Sequence, residues 1–395
     1  MEHLLSDRIN NLHTSQTLAM AAMARELKAQ GKDIISLSLG EPDFNTPDFV
    51  KDAAKKAIDE NYSQYPPVDG YVELKEAISK KFKRDNNLEY KPSQIVVSTG
   101  AKQSLFNIAH VLLNPGEECI LPAPYWVSYS EIVKMCDAIP VEVPTTIDTD
   151  FKITPEQLEA AITPKTKMIM FSSPNNPSGS VYNKQELIAL AQVLEKYPDI
   201  VIVSDEIYEH INFTDSFCSI ATIPGMYDRT ITVNGVSKAF AMTGWRIGYI
   251  GAPEHIAKAC TKMQGQITSG ANSIAQRATI AAVSADPSQI KFMVTEFHKR
   301  RDLVVGLLRE VPGIKINVPE GAFYVFPDVS SFFGKTLRGK FIENACDLSM
   351  YLLSEACVAT VDGAAFGNPD CLRLSYATNE ALLVEAIKRI KEVLA

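Results

Sequence analysis

Lys238, in Val236-Ser237-Lys238-Ala239-Phe240, is set among small and apolar residues, unusual company for a side chain that favours solvated faces. An amine kept from water holds its proton less tightly and attacks aldehydes more readily. Past Gly244 comes Arg246, so one glycine-marked segment offers an amine for an aldehyde and a guanidinium for a phosphate on the same ligand. Upstream, the apolar run Ile200–Ser204 ends in Asp205-Glu206, and Tyr208 lies three residues beyond Asp205. Two carboxylates closing an apolar strand must be solvated, paired or used. Taken alone, they also read as an ordinary strand end.

Two further turns carry possible chemistry. Val96-Val97-Ser98-Thr99-Gly100-Ala101-Lys102-Gln103 is a strand feeding through small residues into a helix. Free N–H groups and the helix dipole make Gly100, Ala101 and Lys102 a candidate anion site, although a glycine there also serves a bare turn. Ser172-Ser173-Pro174-Asn175-Asn176-Pro177-Ser178-Gly179 has the composition of a turn. It follows an apolar strand, and α/β sheets bind ligands at the carboxyl ends of their strands. Gly334-Lys335-Thr336 is no phosphate loop, because the glycine required five residues earlier is missing.

These residues need a scaffold, and the pattern supplies one. Apolar runs at 94–98, 119–121, 167–171, 200–204, 230–233 and 247–250 alternate with helical stretches at 101–113, 154–162 and 184–197. Strands apolar on both sides and separated by helices predict an α/β fold, its mostly parallel sheet covered on both faces. Upstream, Ser15 is placed to cap a helix reaching Gly31; a strand Ile34–Leu39 and helices at 47–60 and 71–85 follow. After about residue 285 the texture changes to a long charged helix at 287–311, short strands at 314–317, 322–326 and 371–376, and a helix at 379–394. The chain therefore divides into a large domain over 46–285 and a smaller α+β domain formed by 1–45 and 286–395.

Composition narrows the partners. The 395 residues carry 39 Lys and Arg against 47 Asp and Glu, a net charge of −8, which argues against nucleic acid. The first residues lack the basic and apolar regions of a secretory signal, and no apolar run is long enough to span a membrane. Seven scattered cysteines and six unclustered histidines suggest neither a disulfide framework nor a metal site, so a reducing cytoplasm is expected.

Together the motifs carry a resemblance over nearly the whole chain. Gly40-Glu41-Pro42-Asp43-Phe44, Tyr65-Pro66-Pro67, Tyr125-Trp126-Val127-Ser128-Tyr129, Pro174–Gly179, Ser204–Tyr208, Ser237–Gly248, Gly321-Ala322-Phe323-Tyr324 and Arg373-Leu374-Ser375-Tyr376-Ala377 stand in the order found in class I aminotransferases. These are fold-type I enzymes that use pyridoxal 5′-phosphate, and the chain most resembles their bacterial aspartate aminotransferases of subgroup Ib. The resemblance implies that Lys238 holds the cofactor as a Schiff base and then moves the substrate's Cα proton. Asp205 matches the carboxylate that keeps the pyridine nitrogen protonated, Tyr208 and Asn176 the donors to the ring's phenolic oxygen, and Trp126 the aromatic stacked on the ring. Phosphate contacts fall to the backbone after Gly100 at Ala101 and Lys102, to Ser237 and Arg246, and to Tyr65 of a second subunit, which implies a homodimer with shared sites.

Arg373 matches the arginine that takes the substrate α-carboxylate, helped by Gly40, Asn176 and Trp126, a planar match that lysine would not reproduce. Lys102, with Thr17, matches the group that takes a second carboxylate; a solvated lysine at a helix start is the plainer alternative. Two departures stand out: Ser178 replaces a common Thr, and Gly235 stands where some relatives carry a phosphate-binding Ser. The implied reaction is ping-pong amino transfer between aspartate and 2-oxoglutarate, with prephenate or aromatic substrates as the close alternative. Elimination or decarboxylation on the same fold is compatible with Lys238 and Asp205 alone, whereas Arg373 with Lys102 favours transamination. A PLP-dependent regulator would carry a DNA-binding domain before Ser15, where this sequence has no room for one.

Overall fold

The computed structural model describes residues 4–395. Its centre is a seven-stranded sheet in the order Ile95–Ser98, Gly248–Gly251, Thr230–Gly235, Val201–Asp205, Thr166–Ser172, Glu118–Ala123, Ile139–Pro144. The last five of these are parallel, and Gly248–Gly251 runs antiparallel to both of its neighbours. Alternation along each strand sends successive side chains to opposite faces. Met168 and Met170 join one core with the helices Ala101–Leu112 and Glu254–Ile267, while Ile169 and Phe171 join another with Lys184–Leu194. With both faces covered, polar side chains would cost free energy almost anywhere along these strands, which is why they read as unbroken apolar runs.

A separate core gathers the chain's later residues. Lys291–Arg309 and Glu380–Leu394 pack over an antiparallel sheet of Val361–Asp362, Leu372–Ser375 and Tyr324–Val325. Ile35 and Leu37 belong to this core, so the chain's beginning and end fold together. The expected strand Ile34–Leu39 pairs only at Ile35–Ser36, with Val358–Ala359. Beyond it the backbone turns to other work: the Leu37 carbonyl accepts from the Ser375 N–H at 2.8 Å and the Ser38 carbonyl accepts from Arg373 at 2.6 Å. The expected strand at 314–317 is reduced to a single bridge, Lys315 with Asp328.

Several elements have no counterpart in the sequence reading: the strand Ile139–Pro144, the helices Ser128–Met135, Glu254–Ile267 and Ser273–Ser284, and the hairpin Lys335–Leu337 with Lys340–Ile342. Beside the helix Val72–Asn86, Asp85, Glu209 and His210 come close enough to suit a metal ion. The buried Lys81 ammonium already pairs with Glu209 there and donates to the Asn86 side-chain oxygen at 2.8 Å.

Phe44 bridges the cores, packing against both the later-residue cluster and the one built on the helix Val72–Asn86. It meets Phe297 edge-on at 5.3 Å, and Phe297 stacks on Phe323 at 5.1 Å. Phe297 is 1% exposed. Replacing it with Ala is expected to cost about 3–5 kcal/mol, the transfer loss plus a cavity. Urea unfolding followed by fluorescence reads this, and an unchanged midpoint would mean that the aromatic stack contributes nothing.

Candidate active site

The carboxyl ends of the parallel strands open into a cavity of about 300 Å³. Each wall residue arrives from the turn after a strand or from the beginning or end of the chain. Asp205 closes the central strand Val201–Asp205, Ser237 and Lys238 follow Thr230–Gly235, and Asn176 follows Thr166–Ser172. Trp126 follows Glu118–Ala123, and Ala101 with Lys102 opens the helix after Ile95–Ser98. Gly40, Thr17 and Arg373 complete the wall, with Tyr208 and Arg246. Thus every sequence-derived candidate lines one cavity except Gly100 and Tyr65. Gly100 sits just behind as the helix N-cap, while Tyr65 is 98% exposed and away from this chain's own cavity.

At the phosphate end, the helix Ala101–Leu112 begins without a side-chain cap and without an acidic residue in its first turn, so its leading N–H groups are available to an anion. A Cβ on Gly100 would run into the Arg246 guanidinium, and one on Gly248 into the Ala101 nitrogen. Arg246 itself holds left-handed backbone, φ 56°, a strain of about 1–2 kcal/mol for a non-glycine residue. Its Nη1 donates to the Thr243 carbonyl at 2.8 Å. Gly235 does not line the cavity, and a Cβ there would press on the Ile247 carbonyl at 3.0 Å. A serine at this position would need the neighbouring strand to move.

The two carboxylates that end the central strand part company. Asp205 faces the cavity, where its Oδ2 accepts from the Tyr129 hydroxyl at 2.8 Å and its Oδ1 from the Ile207 N–H at 3.2 Å. Burial pushes its pKa up to about 6; those two donors and nearby Lys238 oppose the rise. Glu206 faces away and accepts from Ser204 and Ser219. Burial drives its pKa up to about 8, while the two serine donors oppose the rise.

Lys238 donates to the Gly40 carbonyl at 2.5 Å. Lost hydration, followed by the charge of Arg373, lowers its pKa to about 8. Arg373 is 1% exposed and lies between two rings, 4.7 Å from Tyr324 and 4.9 Å from Phe366. It donates to the Asn176 side-chain oxygen at 3.0 Å and to the Ser38 carbonyl, leaving its Nε without a partner. Lys102 keeps contact with solvent, lies 4.8 Å over Trp126, and has its pKa lowered by burial and by Arg246. Thr17 lines the same cavity, and its buried hydroxyl has no hydrogen-bond partner.

Some wall residues had no assigned role. Tyr129 was legible only as part of Tyr125–Tyr129; it lies in the first turn of the unexpected helix Ser128–Met135, and its ring meets that of Trp126 edge-on at 5.7 Å. Tyr324 was legible only as part of Gly321–Tyr324. Ser15 stands at the N-cap of Gln16–Ala29 as expected, but its side chain makes no capping bond and the residue lines the cavity. Glu41 accepts from the Thr243 hydroxyl at the cavity wall, a pairing across 202 residues that no local pattern announces.

The chain is similar to known proteins over nearly its whole length. The family model for aminotransferase class I and II matches residues 32–390. An aspartate/prephenate aminotransferase of Cereibacter sphaeroides is 50% identical over 98% of both chains. One from Nitrosomonas europaea is 48% identical over 99% of this chain and 100% of its own. Among solved structures, the aspartate aminotransferase of Rhizobium meliloti superposes with a TM-score of 0.96 at 44% identity, covering 99% of this chain and 98% of the other. That of Thermus thermophilus with maleate gives 0.93 at 40%, covering 98% and 99%.

An amine with a pKa of about 8 is mostly neutral above that pH, whereas an ordinary lysine must reach 10.5. Capture of a small aldehyde by the cofactor-free protein, trapped with borohydride and located by mass spectrometry, should therefore rise at Lys238 through pH 8 and then level off. A midpoint near 10 at Lys238 would contradict the cavity's effect on it.

Proposed function

We propose that this chain, which belongs to the class I and II aminotransferases, moves the amino group of aspartate to 2-oxoglutarate in a ping-pong cycle. Like its family it uses pyridoxal 5′-phosphate, and the donor set fits that group at three points. Glycines keep a cradle open for a dianionic phosphate between Arg246 and the start of Ala101–Leu112. The buried carboxylate of Asp205 needs a cationic partner, which a protonated pyridine nitrogen supplies. Lys238 presents an amine that is easily deprotonated. Bound there, the cofactor's ring withdraws the electron pair of the substrate's Cα–H bond and carries the amino group between half-reactions.

The protein's own groups do the rest. Asp205 holds a proton on the pyridine nitrogen, and the Tyr129 hydroxyl keeps that carboxylate ionised. Tyr208 and Asn176 would donate to the ring's phenolic oxygen, and Trp126 would stack on the ring. Ser237, Arg246 and the N–H groups of Ala101 and Lys102 after Gly100 hold the phosphate. Lys238, freed by the substrate, would take the Cα proton as an amine and deliver it as an ammonium to the cofactor carbon that bears the amino group. Arg373 binds the substrate α-carboxylate.

The observation that carries the substrate assignment is that Arg373 and Lys102 line the same cavity as Lys238. Two cations beyond those needed by amine and phosphate chemistry suit a dicarboxylate, and Thr17 lines the same cavity. Relatives named for aspartate, and one neighbour solved with maleate, support this choice. Prephenate, another acidic oxo acid, is the second reading. It is favoured by the relatives' names and by exposed Leu18 and Leu39 in the same wall, an apolar surface for a ring.

Tyr65, unable to serve its own cavity, is assigned to that of a partner copy, which makes the active form a homodimer. The large domain 46–285 and the small domain 1–45 with 286–395 then enclose the site between them. Seven free cysteines are compatible with a cytoplasmic enzyme, and among the described residues no helix is long and apolar enough to cross a membrane.

Arg373→Ala should remove about 2–4 kcal/mol of transition-state binding for every amino acid, seen as lost kcat/KM. Values within severalfold of the parent would reassign Arg373. Lys102→Ala should lower kcat/KM for aspartate and glutamate by about tenfold or more while sparing neutral amino acids. Equal losses on both classes would move Lys102 to cofactor support, and prephenate as acceptor in the same assay decides the second reading.

A further inference from the structure

Tyr324 has no task so far, yet it touches more of the site's machinery than its position in a short strand suggests. The ring is fully buried, 0% exposed, and the residue lines the cavity. Its hydroxyl meets the Tyr208 hydroxyl at 2.8 Å, and its ring lies 4.7 Å from the Arg373 guanidinium. The hydroxyl also occupies the space that a Cβ on residue 40 would need, so Gly40 is what admits it. Phe323 stays on the core side, stacked on Phe297 and edge-on to Tyr208.

We propose that Tyr324 is a positioning residue with two separable arms, its hydroxyl setting the donor strength of Tyr208 and its ring seating Arg373. The inference rests on Tyr208 facing the cofactor's phenolic oxygen. A Tyr208 proton given to that oxygen leaves the Tyr208 oxygen as an acceptor, and Tyr324 is the neighbour placed to donate to it. A phenol that accepts a hydrogen bond on its oxygen donates its own proton more strongly, because linked hydrogen bonds polarise one another. The other arm needs no proton, since a ring face over a desolvated guanidinium attracts it and limits its rotamers.

The arms predict different failures. In the holoenzyme, Tyr324→Phe keeps the ring and removes the relay. The pH midpoint of the bound cofactor's visible absorption should move upward by roughly 0.5 unit, a fraction of one hydrogen bond. KM for the amino acid should stay near the parent value. Tyr324→Leu removes both arms and should add about a tenfold rise in KM. Tyr208→Phe is the reference, because it must raise the same midpoint by more than Tyr324→Phe does. If Tyr208→Phe leaves the midpoint unmoved, Tyr208 does not face the phenolic oxygen and the relay falls with it. If Tyr208→Phe moves the midpoint and Tyr324→Phe does not, the relay alone is wrong. A KM rise already complete in Tyr324→Phe would show that Arg373 depends on the hydroxyl, and would overturn the separation of the arms.

Discussion

A carboxylate held at the end of a buried central strand sets the terms for everything around it. Asp205 is 4% exposed, and burial alone would leave it neutral. The fold opposes that with the Tyr129 hydroxyl, the Ile207 N–H and the charge of Lys238, holding the group near the balance point at about 6. A cation placed against it tips the balance to the ionised form. Only a parallel sheet with both faces covered makes this arrangement cheap, since neighbouring strands all deliver their following turns to one end. Asn176, Trp126, Lys238 and the start of Ala101–Leu112 reach Asp205 by that route, from segments far apart in sequence.

Charge in the cavity runs against charge in the molecule. The chain as a whole is acidic at −8, yet the cavity wall carries Lys102, Lys238, Arg246 and Arg373 against Asp205 and Glu41. Low-dielectric walls focus that local excess, which attracts small anions without making the surface sticky for polyanions. The cations are not equivalent. Arg246 is strained into place and solvent-accessible, whereas Arg373 is buried between rings with two of its donors already used. Fixed in this way, Arg373 gives up little further conformational freedom when a carboxylate arrives, a gain in pre-organisation that a flexible lysine would not match.

The buried parallel strands were legible because both of their faces are apolar, and Lys238 because a lysine among small residues breaks the ordinary pattern. What escaped did so for physical reasons. The edge strand Ile139–Pro144 carries two prolines and is largely exposed, so its composition resembles a loop. Gly248–Gly251 reads like its neighbours, because an apolar run carries no sign of its direction. Ile34–Leu39 has strand composition, but its later backbone serves Arg373 and Ser375 rather than a ladder. Asp205 and Glu206 are adjacent in sequence and opposite in fate, which strand alternation permits without saying which side holds the cavity. Tyr324 and Glu41 acquire their neighbours only through tertiary packing.

On the proposed function, substrate choice rests on the least comfortable cation. Lys102 occupies the first turn of a helix, where the dipole disfavours positive charge, and Arg246 repels it further. Trp126 gives partial relief by lying beneath the ammonium. A lysine serving only solubility would be better placed almost anywhere else on the surface. Its position becomes favourable when a second carboxylate enters the cavity, because the ammonium then gains a counter-charge. On the proposed function, then, preference for dicarboxylic substrates comes from an ammonium that is poorly placed on its own and gains a partner from the second carboxylate.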